Sequence, residues 1–193
     1  MKTFAASAIL LFNFSAIFSC AQATVTFHNR NLTDPRHGTI YHAPVLLPDG
    51  SGAGPEFTPG LFLVTPGGPV LLAMTSLRGG AGGGFFSPQI VVRVPGLATV
   101  STATFRVRVW ETRAGSYDNA VANGFCFGEF QTTSGNNEIT VVLSSDNLPG
   151  PLVPPSLNGI LPLTLTCIPE PSTLSLAFIL GLLLLRTRHS LRK

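Results

Sequence analysis

Charge is what this chain has least of. Only 11% of its 193 residues are Asp, Glu, Lys or Arg, against 45% apolar, whereas soluble domains run nearer a quarter charged. That deficit excludes a chain made of soluble surface from end to end. Cysteine is almost as scarce. Three residues are too few for a scaffold built from disulfides, and no paired CxxC of a structural zinc site is present. HExxH, P-loop and GxSxG patterns are all missing, which removes the familiar signatures of zinc proteases, nucleotide hydrolases and serine hydrolases. Long amphipathic helices are excluded as well, because 16 Pro and 20 Gly are scattered along the whole chain.

The apolar excess is concentrated at the two ends. Lys2 precedes a nearly continuous apolar stretch over residues 5–18, followed by "CAQA" at 20–23. A basic start, an apolar middle and a small-x-small exit make the plan of a secretory signal peptide. Ala21 and Ala23 flank Gln22, so the expected cut follows Ala23. A lipoprotein reading, with Cys20 acylated, is the alternative, and bulky Phe18 two positions earlier argues against it. At the other end, residues 174–185 are interrupted only by Ser175. Counted from Ser172 the run would make roughly 21 Å of helix at 1.5 Å per residue, short of the ~30 Å bilayer core. It is a marginal transmembrane helix, with Arg186, Arg188, Arg192 and Lys193 as a basic stop held on the cytoplasmic side. A marginal anchor suits a segment that holds the protein for a processing enzyme and is then discarded; a plain permanent anchor is the rival.

Three regions follow: a signal peptide at 1–23, a body at 24–166 and a C-terminal segment at 167–193. The net charge of +3 and the isoelectric point near 9.1 belong to the ends. The body carries seven basic and eight acidic residues, about −1, so no strong field draws nucleic acid. After processing only Cys126 and Cys167 remain, and in an exported protein they are a candidate disulfide. Free thiols, with Cys167 in a loose tail, are the alternative.

Within the body the periodicity is that of strands. In "TATFRVRVW" (102–110) Phe105, Val107 and Val109 share one face, and Arg106 and Arg108 point the other way. "QIVVRVP", "EITVVLS" and "ILPLTLTC" alternate similarly, with Pro162 confining the last to a sheet edge. Further strands are expected at 24–28, 39–47, 60–65, 70–75 and 125–130. Turn signals such as "PDGSGAGP", "TPGGP" and "RGGAGGG" separate them. The fold class expected is all-β, a single β-sandwich-like domain with one short helix at 116–124, capped by Ser116 and ended by Gly124.

Few groups in the body suggest chemistry. His28, His37 and His42 lie close in sequence but lack metal-ligand spacing, and no metal or cofactor is expected. The Asp49 turn offers calcium a single carboxylate, so it reads as a plain turn. The acids are scattered, and none are marked as a glycosidase pair. An enzyme is therefore not expected, with a secreted hydrolase as the third possibility. The most chemical surface is the outward face of 102–110, where Arg106, Arg108 and Trp110 line up as a candidate sugar-binding face that could stack on a sugar or pair with acidic polysaccharide. The competing reading packs Trp110 under a loop.

The C-terminal residues "IPEPSTLSLAFILGLLLLRTRHSLRK" resemble the PEP-CTERM sorting signal of Gram-negative bacteria that make extracellular polysaccharide. That signal joins a Val/Ile-Pro-Glu-Pro-Ser motif, a short hydrophobic helix and a basic end. The motif here is Pro169, Glu170, Pro171 and Ser172, preceded by Ile168. The resemblance implies export by the Sec machinery, a transient anchor in the inner membrane, and recognition by an exosortase that removes the tail near the motif. Two prolines around a carboxylate hold such a segment extended and legible to an enzyme. "FRVRVWETRAGSYDNAVANGFCFGEF" is similar, more weakly, to a stretch common in the bodies of such proteins, from which Cys126 departs. The implied function is an exported protein sorted to the cell surface or extracellular matrix, with a structural or interaction role. The runner-up is a secreted carbohydrate-binding module or adhesin with extracellular polysaccharide as partner.

Overall fold

The alternation in "TATFRVRVW" becomes the longest strand of the molecule, and the rest of the body is arranged around it. The computed structural model describes residues 23–34, 36–97, 101–145 and 154–168. Within these, the order is β1 (Ala23–Phe27), β2 (Leu32–Thr33), β3 (Ile40–Tyr41), β4 (Val45–Leu46), β5 (Phe57–Thr65), β6 (Gly68–Met74), β7 (Ser76–Leu77), β8 (Phe86–Ser87) and β9 (Ile90–Val94). There follow β10 (Thr102–Glu111), α1 (Tyr117–Ala122), β11 (Phe127–Glu129), β12 (Ile139–Val142), β13 (Ser144–Ser145) and β14 (Leu163–Thr164). The fold is all-β with one short helix.

Two sheets share one core. The larger runs β11-β10-β5-β6, with β12 also on β10; the smaller runs β13-β1-β9. Strand β10 pairs with β5 along one edge from Phe105 to Glu111. Its other edge is divided, β12 taking Thr102–Phe105 and β11 taking Arg108–Trp110. Strand β1 is used in the same way: β9 covers one edge fully, and β13 takes only Ala23 and Thr24 on the other. Beyond that point Thr26 donates its backbone N–H to the Pro155 carbonyl at 2.8 Å, so residues 154–156 complete the edge.

Inward side chains of both sheets meet in a single cluster. Val25 and Phe27 come from β1, Val92 and Val94 from β9, and Phe105, Val107 and Val109 from β10, with Leu61, Phe130 and Ile139 beside them. Each such burial is worth roughly 1.5–3 kcal/mol, and this drives the two sheets together. The arrangement fits the expected β-sandwich. On β9 the alternation expected from the sequence is observed, Val92 and Val94 buried and Val91 58% exposed.

Local chemistry explains the remaining elements. Ser116 caps α1, its hydroxyl accepting from the Asn119 N–H at 3.2 Å, and Gly124 follows the helix at φ +74, a left-handed angle that suits glycine. The strand expected over 39–47 is two short pieces, because Ala43 between them bonds elsewhere. Asn29, fully buried, donates to the carbonyls of Ala43 (2.9 Å) and Gly84 (2.8 Å) and accepts from the Phe86 N–H (2.9 Å). One side chain thus ties three segments together. The Gly-rich run at 79–84 owes its composition to close packing as well as to turning: a Cβ on Gly83 would lie 2.8 Å from the Gly52 carbonyl oxygen. The segment containing Pro162 supplies only β14, which pairs with β4 in a two-stranded parallel piece.

Among the described residues no helix is long and apolar enough to cross a membrane. The expected C-terminal helix at 174–185 lies outside the described residues. So do Ala21, the motif Pro169, Glu170, Pro171 and Ser172, and the basic stop Arg186, Arg188, Arg192 and Lys193. Ala23, the expected last residue of the signal peptide, is the first residue of β1 and is fully buried opposite Val94 and Ser145.

Candidate functional site

Period two along β10 sends Arg106, Arg108 and Trp110 toward one side only if the strand stays regular, and the fold then covers that side. Trp110 is 2% exposed. It packs with Ala114 and Ala120 and against Phe62, Tyr117, Phe125 and Phe127 in a second small cluster beneath α1. Its indole lies across Gly60 so closely that an added Cβ there would sit 2.7 Å from the ring. No ring face is left open for a sugar: Trp110 is covered as in the competing expectation, but by α1 rather than by a loop.

The two arginines are also engaged internally. The Arg108 guanidinium lies 5.2 Å from the centroid of the Phe62 ring and 4.6 Å from that of Tyr117, two cation–π contacts, while its Nε donates to Glu129 at 3.3 Å. Arg106 donates to Glu138 at 2.8 Å, and its Nε faces Glu129 at 3.8 Å. The bond to Glu138 is the main cause holding the Arg106 pKa above its ordinary value. Burial, and then the Glu129 charge, push the Tyr117 phenol up. Arg113 pairs with Glu111 and lies 4.7 Å from the Phe125 ring centroid. The outer face of β10 is a network of charges and rings, in which the buried Arg106 Nε is left without a hydrogen-bond partner.

Beside this face a cleft of about 410 Å³ opens between β11 and the segment carrying β14. Its walls include Tyr117, Phe127, Glu129, Gln131, Asn137, Thr164 and Thr166, an aromatic side flanked by carboxylate, amide and hydroxyl groups. Sequence reasoning missed this cleft, because residues 161–166 reach β11 only in the folded chain, through the pairing of Thr166 with Phe127 and the packing of Leu163 and Leu165 over Gly128.

The other expected groups are separate. Cys126 and Cys167 are joined in a disulfide with Cα atoms 4.0 Å apart, closing the chain beside α1. His28 is buried and bonded through Nε2 to the Ser156 hydroxyl at 2.8 Å. His37 contacts Asp34 at 2.9 Å, and His42 accepts from the Asn31 N–H. Hydrogen bonding from His37 is the main cause holding the Asp34 carboxyl below its usual range. Asp49 binds the hydroxyl and the N–H of Ser51 within its own turn. Among the described residues no three His, Cys, Asp or Glu converge to hold a metal.

Compared with protein-family models, with curated proteins and with solved structures, the chain gives no match in any of the three.

Proposed function

We propose that this chain is an exported single-domain β-sandwich protein, preceded by a signal peptide and followed by a PEP-CTERM sorting signal. Its tail serves as a transient membrane anchor that an exosortase removes. The mature body then has a structural or interaction role, without enzymatic turnover, at the cell surface or in the extracellular matrix. The observation carrying this reading is the ordered C-terminal series: Ile168-Pro169-Glu170-Pro171-Ser172, the apolar run at 174–185, and the basic end at Arg186, Arg188, Arg192 and Lys193. Intact and C-terminal mass spectra of the protein taken from its own cell surface test it. A chain beginning near Thr24 and ending near residues 169–171 is expected; one still ending at Lys193 would sink the sorting reading.

A second reading, a carbohydrate-binding module or adhesin, is favoured by the cleft lined by Tyr117, Gln131, Asn137 and Thr164 rather than by Trp110. Aromatic and amide groups together suit a sugar, one by stacking and the other by hydrogen bonding. Binding of the secreted protein to the producing cell's polysaccharide should fall about tenfold in Tyr117→Ala. Equal binding by the two proteins would retire this reading.

A further inference from the structure

A second concavity, about 220 Å³ in volume, lies on the opposite side of the charge ledger from the β10 face. It is lined by His28, Arg30, Asn31, Arg78, Phe85, Phe86 and Gln89. The lining thus includes two arginines, two residues with side-chain amides, a histidine and two phenylalanines, and no carboxylate. Among the described residues neither Arg30 nor Arg78 makes an ion pair, whereas Arg106, Arg108 and Arg113 each do. Both arginines are exposed, so water screens their mutual repulsion, while their charges add at this concavity and favour an anion there.

The walls are built before any ligand arrives. Phe86 packs on Phe27 and Phe130 in the core. His28 is pinned by Ser156. The turn carrying Arg30 and Asn31 is held from below by Asn29, whose amide oxygen also accepts from the Phe86 N–H. Asn31 takes a left-handed φ of 56, and its N–H is fixed by the His42 ring at 3.1 Å. Arg78 starts the loop that the β7–β8 hairpin closes, its N–H donating to the Phe85 carbonyl at 2.8 Å. Arg30 stands over the Phe85 ring, 5.6 Å from its centroid.

We infer that this pocket binds an oxyanion, a carboxylate, sulfate or phosphate group, between Arg30 and Arg78 with Asn31 and Gln89 as supporting donors. Planar guanidiniums match such oxygens with paired hydrogen bonds. The volume falls below the ~300–1,000 Å³ of sites that engulf a drug-sized ligand, so the pocket takes one anionic group rather than a polymer's length. Two arginines are also too few to neutralise a run of nucleic-acid phosphates. The assignment rests on the body alone and stands or falls independently of the sorting signal.

Calorimetric titration of the purified full-length chain at low salt with acetate, sulfate, phosphate, glucuronate and neutral glucose tests it. Saturable binding of at least one anion and none of glucose is expected, weakened about tenfold in Arg30→Gln and again in Arg78→Gln, and unchanged in Arg113→Gln. Binding of the inorganic ions or acetate identifies a site for the free group; binding confined to glucuronate places the anion on a sugar. Both outcomes uphold the assignment. Absence of saturable anion binding, or binding that Arg30→Gln and Arg78→Gln leave intact while their melting temperatures match the parent's, overturns it.

Discussion

Arginine appears on two sides of this molecule under opposite conditions. On the outer face of β10, Arg106 and Arg108 share Glu129, Arg106 also holds Glu138, and the ring of Tyr117 lies over Arg108. At the end of β1, Arg30 and Arg78 share a pocket without any carboxylate in its lining. The first set is consumed by the fold. The second is left to meet something else. A sequence shows both as arginines in strands or turns, and only the placement of the acids tells them apart. Ion pairs and rings that satisfy each other hold a structure together, whereas cations around a concavity without a carboxylate are placed to receive an anion.

The contrast can be broken from the β10 side first. Glu129 is 13% exposed and Arg108 14%, so Glu129→Ala leaves Arg108 without its carboxylate in a largely desolvated setting. The loss expected is about 2–3 kcal/mol, below the ~3–5 of a fully buried pair, because Arg106 keeps Glu138 and remains a third exposed. Urea unfolding of parent and variant measures it. Arg78→Gln sharpens the same contrast from the other side: its stability should stay within about 0.5 kcal/mol of the parent. A loss as large as that of Glu129→Ala would mean that Arg78 is structural after all.

The smallest effect is one of pH. Burial is the main cause holding the His28 imidazole below its ordinary value, with a backbone hydrogen bond at Arg30 opposing it. The unfolded chain then takes up a proton at higher pH than the folded one. Its contribution is complete above the unfolded value of about 6.5 and is lost as pH falls through the lower folded value. Urea midpoints measured from about pH 7.5 to 5.5 should decline, and His28→Gln should decline less. Parallel slopes for the two proteins would remove His28 from the account; the β10 face holds no histidine and should contribute nothing over this range.

How much of this was legible beforehand follows from range. The alternation of Phe105, Val107 and Val109, and of Val92 and Val94, reports burial directly because the sheet has a period of two. Ser116 and Gly124 announce α1 because capping is local. Trp110 was misplaced by the same rule that placed its neighbours. Period two assigns a side of the sheet, but whether that side meets water depends on Gly60, Phe62 and α1, which arrive from elsewhere in the chain. The pocket was invisible for the same reason. Arg30 and Arg78 are brought together by the pairing of β1 with β9 and by the hairpin closing on Phe85, and neither leaves a local trace beyond the glycines after Arg78. The break in the strand expected at 39–47 depended on Asn29, whose three bonds reach residues 14 to 57 positions away.

The disulfide between Cys126 and Cys167 has a mechanical meaning. Residues 154–166 are held by backbone bonds, such as those from the Leu163 and Leu165 N–H groups to the carbonyls of Pro44 and Leu46, and by the buried side chains of Leu157, Ile160, Leu163 and Leu165, and a pull from the C-terminal side would load these contacts in turn. With Cys167 tied to Cys126, a load entering beyond Cys167 passes through the S–S bond into the segment beside α1 and β11. Residues 154–166 then share that load with the segment across the bridge. The body is thereby gripped by a covalent clasp next to the last of its described residues.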